Sequence, residues 1–160
     1  MAKKLIFIGD DHTKDGCILF GVQTLGQLKP NSYILLLEEE VSNEPIRKDE
    51  FEDTRAIIIK DKINSADALA LENLMANAYA VYGFDGKGPA LSLQRHASQK
   101  KNITDYVNHF KTYTNIEKFI VIVGDGHLNQ RWVKWEPLQE ATYGDDIENM
   151  YSAALVLYAT

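Results

Sequence analysis

The sequence predicts an α/β fold with a mostly parallel central sheet of about six strands, flanked by helices, in a single domain over residues 1–160. Two observations predict this class. The strongly apolar runs are continuous rather than alternating, which is typical of strands that are covered on both faces. They also alternate along the chain with segments of helical periodicity, which favours βαβ units with right-handed crossovers. A chain of 160 residues has room for one such core.

Six apolar segments are predicted as strands, and three longer segments as helices. The predicted strands cover residues 4–8, 33–37, 55–59, 79–84, 119–123 and 152–158. The predicted helices run from Thr13 to Leu28, onward from a cap at Asn64 and Ser65, and from Pro89 to about Tyr113. The acidic, proline-bearing segment from Val41 to Thr54 is predicted to be a loop or a short lid.

Two nearly identical phrases close two of the predicted strands, IFIGDDHT at residues 6–13 and IVIVGDGHL at residues 120–128. In each phrase a glycine ends the apolar run, and an aspartate and a histidine follow within three positions. Parallel strands bring their carboxyl ends to one edge of the sheet, where ligands bind in α/β folds. The polar residues expected at this edge are Asp10, Asp11, His12, Glu38, Glu39, Glu40, Asp85, Asp125 and His127.

Such a cluster has three plausible chemical uses. Two imidazoles and a carboxylate match the ligands of a hydrolytic metal such as zinc, manganese or cobalt. A histidine held by a carboxylate is instead a general base that activates water without a metal. An imidazole can also bind haem iron as an axial ligand. Arg95, in the early turns of the helix after Pro89, is placed to balance carboxylates or to stabilise an oxyanion.

Composition and net charge limit the classes of partner and the cellular location expected for the protein. The formal net charge of -6 argues against nucleic acid and against an anionic membrane as partners. The single cysteine, Cys17, excludes an intrachain disulfide and suits a reducing compartment. The apolar stretch near the N-terminus is too short for a signal peptide or a membrane span, so a cytoplasmic location is expected.

The ordered set of motifs resembles the Tiki, TraB, ChaN and erythromycin esterase superfamily over about residues 4–130. Gly9 to His12 is similar to the early Gly-x-x-His of that group, and Gly124 to Leu128 is similar to its closing Gly-x-Gly-His-Leu. Leu37-Glu38 resembles the strand-end glutamate, although three glutamates in a row leave the register open by one. The strand ending at Asp85 and the helix residue Arg95 occupy the places of two further family elements.

The resemblance implies an α/β fold whose strand-end cluster supports varied tasks. Tiki members act as metal-dependent proteases, erythromycin esterases hydrolyse a lactone, and ChaN relatives bind haem. It therefore implies a metal-dependent hydrolase of a peptide, ester or similar acyl substrate, with haem or small-ligand binding, or a non-catalytic relative, as alternatives. The catalytic residues would be Asp10, His12, Glu38, Arg95 and His127, and the metal ligands His12, Glu38, His127 and Asp125.

Two departures from the family pattern bear on these expectations. Asp10 stands where ChaN and esterase members have a glutamate, which affects its role as a general base. The long helical insertion that covers the site in many relatives is reduced here to residues 41–54. The pocket is then either open or completed by the second subunit of a homodimer.

Overall fold

A computed structural model describes residues 3–11, 15–60, 65–86, 88, 93–124 and 155–157. These residues contain five strands and four α-helices, with one short 3-10 helix at Lys48–Glu50. The strands are β1 (Lys4–Asp10), β2 (Tyr33–Glu40), β3 (Ala80–Asp85), β4 (Lys118–Gly124) and β5 (Leu155–Leu157). The α-helices are α1 (Cys17–Leu25), α2 (Phe51–Ile59), α3 (Ala66–Asn77) and α4 (Leu93–Phe110).

The five strands form one sheet in the order β3-β2-β4-β1-β5, and every strand pair in it is parallel. The α/β class with a parallel sheet flanked by helices is therefore confirmed. The predicted number of about six strands is too high for the part of the chain that the structure describes. Strand β4 lies in the centre of the sheet, between β2 and β1. Strands β1 and β2 are consecutive in the sequence, but they are separated in the sheet by β4.

Helices cover both faces of the sheet, and each face has its own apolar core. On one face, Ile103, Val107 and Phe110 of α4 pack against β1, β2, β3 and β4. On the other face, α1, α2 and α3 pack against the opposite sides of the same strands. Covering on both faces explains why the strands are continuously apolar. Among the described residues, no helix combines the length and the hydrophobicity needed to cross a membrane.

The predicted third strand at residues 55–59 is wrong, because this segment forms the second half of α2. Thr54 and Ile58 lie four residues apart on the buried side of the helix, whereas Ile57 is 58% exposed. A strand would have buried alternate residues, but a helical turn buries positions three and four apart. Residues 41–54 are consequently not all loop, since the 3-10 helix and the first turn of α2 lie within them.

The other elements lie close to their predicted positions. Helix α1 ends at Leu25, before the predicted end at Leu28, because Gly26 follows with a positive φ of 73° that favours glycine. Helix α3 begins as predicted, since the Ser65 side chain accepts a hydrogen bond from the Ala68 amide. The predicted strand at 152–158 is represented by the three residues of β5.

Two aspartates join the beginnings of α1 and α3 reciprocally. The Asp15 carboxylate, which precedes α1, accepts hydrogen bonds from the Ala66 and Asp67 amides in the first turn of α3. The Asp67 carboxylate in turn accepts from the Leu19 amide in the first turn of α1, at 3.0 Å. Burial acts to raise the pKa of Asp15, but these amide hydrogen bonds outweigh it and hold that pKa below its ordinary value. Each helix thus satisfies amides of the other that have no partner within their own helix.

Replacing Asp67 should lower the stability of the protein measurably. Asp67 is completely buried, and Asp67→Ala removes the acceptor of the Leu19 amide. The expected loss in the free energy of unfolding is about 1–3 kcal/mol, the cost of an unsatisfied buried group. Urea denaturation followed by circular dichroism measures it. Asn73→Ala, at an exposed position of the same helix, should change stability by less than about 0.5 kcal/mol. Equal effects of the two substitutions would contradict the reciprocal capping.

Candidate functional site

The carboxyl ends of β1, β4 and β2 form one continuous edge. Strand β1 pairs with β4 in a register that places Gly9 opposite Val123 and Asp10 opposite Gly124. Strands β1 and β4 therefore end at the same level, about 4.8 Å apart, and the two Gly-Asp-x-His phrases are offset by one residue along them. Strand β2 flanks β4 on its other side, and the Glu38 carboxylate accepts a hydrogen bond from the Gly124 amide at 2.7 Å.

A topological switch lies on the same edge, between β2 and β3. The connections that leave β1 and β2 pack as α1, α2 and α3 on one face, whereas the connection that leaves β3 packs as α4 on the other. Neighbouring strands whose connections leave to opposite faces open a crevice at their carboxyl ends. Glu38, Glu39, Glu40 and Asp85 end the two strands that border this crevice.

Arg95 in the first turn of α4 bridges the crevice. Its guanidinium donates to Asp85 through Nε at 3.0 Å and Nη2 at 2.9 Å, and Nη2 also lies 3.2 Å from Glu38 Oε2. The three side chains are 16–23% exposed, so solvent screens their charges only partly. The hydrogen bond from Arg95 to Asp85 is the main cause that raises the pKa of Arg95, which stays fully charged.

Asp85 accepts several hydrogen bonds in this network. Besides Arg95, it accepts from the Gln99 side-chain amide at 2.9 Å and from the Gly86 amide at 2.8 Å. Burial acts to raise the pKa of Asp85, but the hydrogen bonds from Arg95 and Gln99 and the charge of Arg95 outweigh it and lower this pKa. Asn102, one turn further along α4, donates to the Phe84 and Asp85 carbonyl oxygens. Three side chains of α4 therefore fix the end of β3.

Glu39 is in a less favourable environment than its neighbour Glu38. Burial, followed by the negative charges of Asp85 and Glu40, raises the pKa of Glu39 despite a hydrogen bond from the Glu40 amide. Its Oε1 atom is buried, with no hydrogen-bond donor among the described residues. The backbone of Glu39 and Glu40 also approaches Gly83 so closely that a Cβ atom on Gly83 would overlap their carbonyl groups. This close approach accompanies a register irregularity between Leu37 and Glu40.

The structure brings together only some of the predicted site residues. Glu38 and Arg95 are in contact, whereas the sequence placed Arg95 within reach of the strand-end carboxylates without naming a partner. Asp10 is 1% exposed and, by strand alternation, shares the face of Ile6 and Ile8 that α1, α2 and α3 cover, whereas Arg95 approaches from α4. Asp10 and Arg95 therefore belong to opposite faces of the sheet.

The remaining predicted ligands, His12, Asp125 and His127, lie outside the described residues. Within the part of the chain that the structure describes, no group of three or more histidine, cysteine, aspartate or glutamate side chains is arranged to hold a metal ion. A metal site that includes Glu38 would therefore need at least one ligand from outside the described residues, and the sequence prediction takes such ligands from the two Gly-Asp-x-His phrases. The prediction of a metal site rests on those phrases.

Gln99 and Asn102 were missed by the sequence reasoning. They follow Arg95 by four and seven residues, which is the spacing of one helix face. This spacing is present in the sequence, but glutamine and asparagine also occur on solvated helix faces. The spacing alone therefore did not identify the two residues as contacts of the end of β3, which the position of α4 shows. Gln99 is completely buried.

Comparison of the chain with family models, curated proteins and solved structures gave no significant match. The fold and the site therefore define the protein as a parallel α/β protein with a charged network at the carboxyl ends of its strands. The resemblance to the Tiki, TraB, ChaN and erythromycin esterase superfamily stays a prediction from the motifs.

Neutralising Asp85 should lower the free energy of unfolding at pH 7 and make that free energy less dependent on pH in the acid range. Because folding lowers the pKa of Asp85, its stabilisation is fully present above about pH 3.9, the ordinary pKa of aspartate, and is lost as the pH falls through the lower pKa of the folded state. Asp85→Asn should cost about 2 kcal/mol at pH 7 through weakened hydrogen bonds to a charged group. Below pH 4 its stability should fall less steeply than that of the wild type.

Urea unfolding at a series of pH values measures both effects. Asp105→Asn is the matched control, because Asp105 lies on α4 and forms an exposed pair with Lys101. It should change stability by less than about 0.5 kcal/mol at pH 7. A steep acid limb retained in Asp85→Asn would show that Asp85 does not couple proton binding to folding.

Glu39→Gln should have the opposite sign and stabilise the protein at pH 7. A carboxyl whose pKa is raised by folding destabilises the folded state once the pH rises above its pKa. The gain should shrink as the pH falls towards the ordinary pKa of glutamate, about 4.3. Thermal unfolding at pH 7 and pH 4.5 measures it. Glu44→Gln at an exposed position of the following segment is the control, because the charge of Glu40 itself contributes to the raised pKa of Glu39. A loss of stability at pH 7 in Glu39→Gln alone would contradict the unfavourable environment of Glu39.

Proposed function

We propose that the protein is a hydrolase whose active site lies at the carboxyl ends of β1, β4 and β2, and that it acts with a divalent metal on a peptide, an ester or a similar acyl substrate. The observation that carries the proposal is the register of β1 and β4. It pairs Asp10 with Gly124, so the chain leaves these adjacent strands towards His12 and His127 from the same level. Two imidazoles from one sheet edge, with a carboxylate, are the donor set of a hydrolytic zinc, manganese or cobalt ion.

Glu38 has two roles in this proposal. Its Oε1 atom accepts from the Gly124 amide, which fixes the start of the closing phrase three residues before His127. Its Oε2 atom accepts from Arg95, which fixes the carboxylate itself. Carboxylate oxygens are also among the ligands of hydrolytic metal ions, which is the second role proposed for Glu38. Arg95 then acts as a positioning residue, since its donors serve Asp85 and Glu38.

Asp10 and Asp125 supply the proton-handling carboxylates next to the histidines. Asp10 precedes His12 by two residues and is buried, so the energy of its charge depends on its protein neighbours more than on solvent. A carboxylate in this environment orients an imidazole or takes a proton from an attacking water. A bound metal would lower the pKa of that water and polarise the acyl carbonyl.

Two alternatives to hydrolysis stand beside this proposal. The same histidines could bind haem or another small ligand, or the protein could be a non-catalytic relative. A single preparation distinguishes all three. The wild type and the His12→Ala, His127→Ala double variant are purified, and bound metals are measured by elemental mass spectrometry together with the visible absorption spectrum. We expect near-stoichiometric transition metal in the wild type and at least a ten-fold loss in the double variant, because two of its ligands are removed.

His109→Ala is the matched control, because His109 lies on α4, where it contacts Phe110 and Tyr113 rather than the strand ends. It should retain the metal content of the wild type. Metal-loaded wild type is then screened against chromogenic esters and a peptide library. A haem band that disappears in the double variant would replace hydrolysis with ligand binding. Equal metal in wild type and double variant, or neither metal nor haem in the wild type, would overturn the proposed metal site.

A further inference from the structure

A cavity beside the strand-end network lies between α4, β3 and the segment after β2. Its volume is about 370 Å³, at the lower end of the range of about 300–1,000 Å³ for small-molecule sites. Its lining comes from three elements: the segment after β2, strand β3 and the middle of α4. The lining residues used below are Asn43, Tyr82, Lys101, Asn102, Asp105 and Tyr106.

Two tyrosine rings form a rigid aromatic wall in this cavity. The rings of Tyr82 and Tyr106 are 4.7 Å apart between centroids, with an interplanar angle of 36°. The Tyr106 hydroxyl lies 2.6 Å from the Gly83 carbonyl oxygen and 3.2 Å from that of Ser42, so its proton is held by the backbone of two segments. Burial raises the pKa of Tyr106 to about 12, so this phenol is neutral at pH 7. The wall is thus fixed before any ligand binds.

Besides the imidazole of His109, the lining carries one cation and one anion, which pair with each other. Lys101 Nζ lies 2.8 Å from Asp105 Oδ2, and both side chains are mainly exposed at the rim. An ionic ligand would have to compete with this pair, whereas a neutral ligand would leave it intact. The lining therefore favours a neutral ligand with an apolar or aromatic body.

Asn102 adds a directional polar contact. Its side-chain Nδ2 donates to the Phe84 and Asp85 carbonyl oxygens. Its Oδ1 atom accepts no hydrogen bond from the described residues, so it is the atom of this side chain that can receive a donor. An aromatic ring with a hydroxyl or N–H donor matches such an acceptor beside aromatic walls.

We propose that this cavity binds a neutral aromatic ring that carries a hydrogen-bond donor, of the kind presented by a tyrosine side chain in a peptide. The ring packs against Tyr82 and Tyr106, and its donor reaches Asn102 Oδ1. The site does not depend on the proposed hydrolase activity. Asn102 follows Arg95 by seven residues of α4, which is about 10 Å along the helix, so the cavity lies beside the strand-end network, which Asn102 touches through the Asp85 carbonyl oxygen.

Binding of small uncharged probes tests the proposal without any turnover. N-acetyl-tyrosinamide, N-acetyl-phenylalaninamide and N-acetyl-leucinamide are titrated separately into the ¹⁵N-labelled protein, and backbone amide shifts are followed. We expect the tyrosine probe to bind most tightly, the phenylalanine probe at least three-fold more weakly, and the leucine probe at least ten-fold more weakly. The shifts should concentrate at residues 41–43 and 101–109.

Two variants locate the binding. Asn43→Trp places a large side chain in the cavity from an exposed position, and Tyr82→Leu removes one ring. Each should weaken binding of the tyrosine probe at least ten-fold. Tyr79→Leu is the control, because Tyr79 is an exposed tyrosine just before β3 that is not part of the lining. It should bind the probe within two-fold of the wild type.

The result of Asn43→Trp decides the question if Tyr82→Leu does not fold, since the substituted position lies on an exposed loop. Unchanged affinity in Asn43→Trp would overturn the proposal, as would equal binding of the leucine and tyrosine probes or shifts confined to residues elsewhere. The backbone amide shifts report binding, whereas hydrolysis of a probe would appear as new signals of its products, so binding and hydrolysis are scored independently. If the protein binds no metal, the proposed hydrolase site fails, but the probe-binding result is unaffected.

Discussion

The insertion of β4 between β2 and β1 is the constraint on which the rest of the structure depends. The chain can place β4 there only if the connection from β3 returns across the opposite face of the sheet, and α4 is that connection. The same crossover brings the first turn of α4 to the strand ends, where Arg95 meets Glu38 and Asp85. It also brings the two Gly-Asp-x-His phrases onto adjacent strands. One topological choice therefore determines both the charged network and the proposed active site.

The charged network compensates for an energetic problem that this topology creates. Strands β2 and β3 end in several carboxylates at a partly buried crevice, and without compensation their charges would repel each other at a dehydrated site. Arg95, Gln99 and the Gly86 amide satisfy Asp85, and Arg95 and the Gly124 amide satisfy Glu38. Glu39 shows the cost where compensation is incomplete, because burial and neighbouring charges raise its pKa.

The sequence predicted the elements whose burial leaves a periodic signal, and it failed where that signal was ambiguous. Strands β1, β2, β3 and β4 were expected within three residues of where they lie, because strands covered on both faces have no polar interruptions. The apolar run RAIII was assigned to a strand, although in the fold it completes α2, whose buried positions follow a helical period. Five residues are too few to distinguish the two periods, and the β-branched isoleucines favour the wrong one.

For the site, the approach of Arg95 to the strand-end carboxylates could be predicted because helix position and strand ends follow from βαβ geometry. The partition of the carboxylates between the two faces could not, because it depends on register and on the end of each strand. This partition bears on mechanism. The half of the edge at β2 and β3 holds a network in which most hydrogen-bonding capacity of Arg95 and Asp85 is already used, and rearranging it during a reaction would cost several charge-assisted hydrogen bonds. Such groups position others more readily than they react. The chemistry is then expected in the half formed by β1 and β4, where Asp10 is buried at the start of one phrase and Glu38 holds the start of the other.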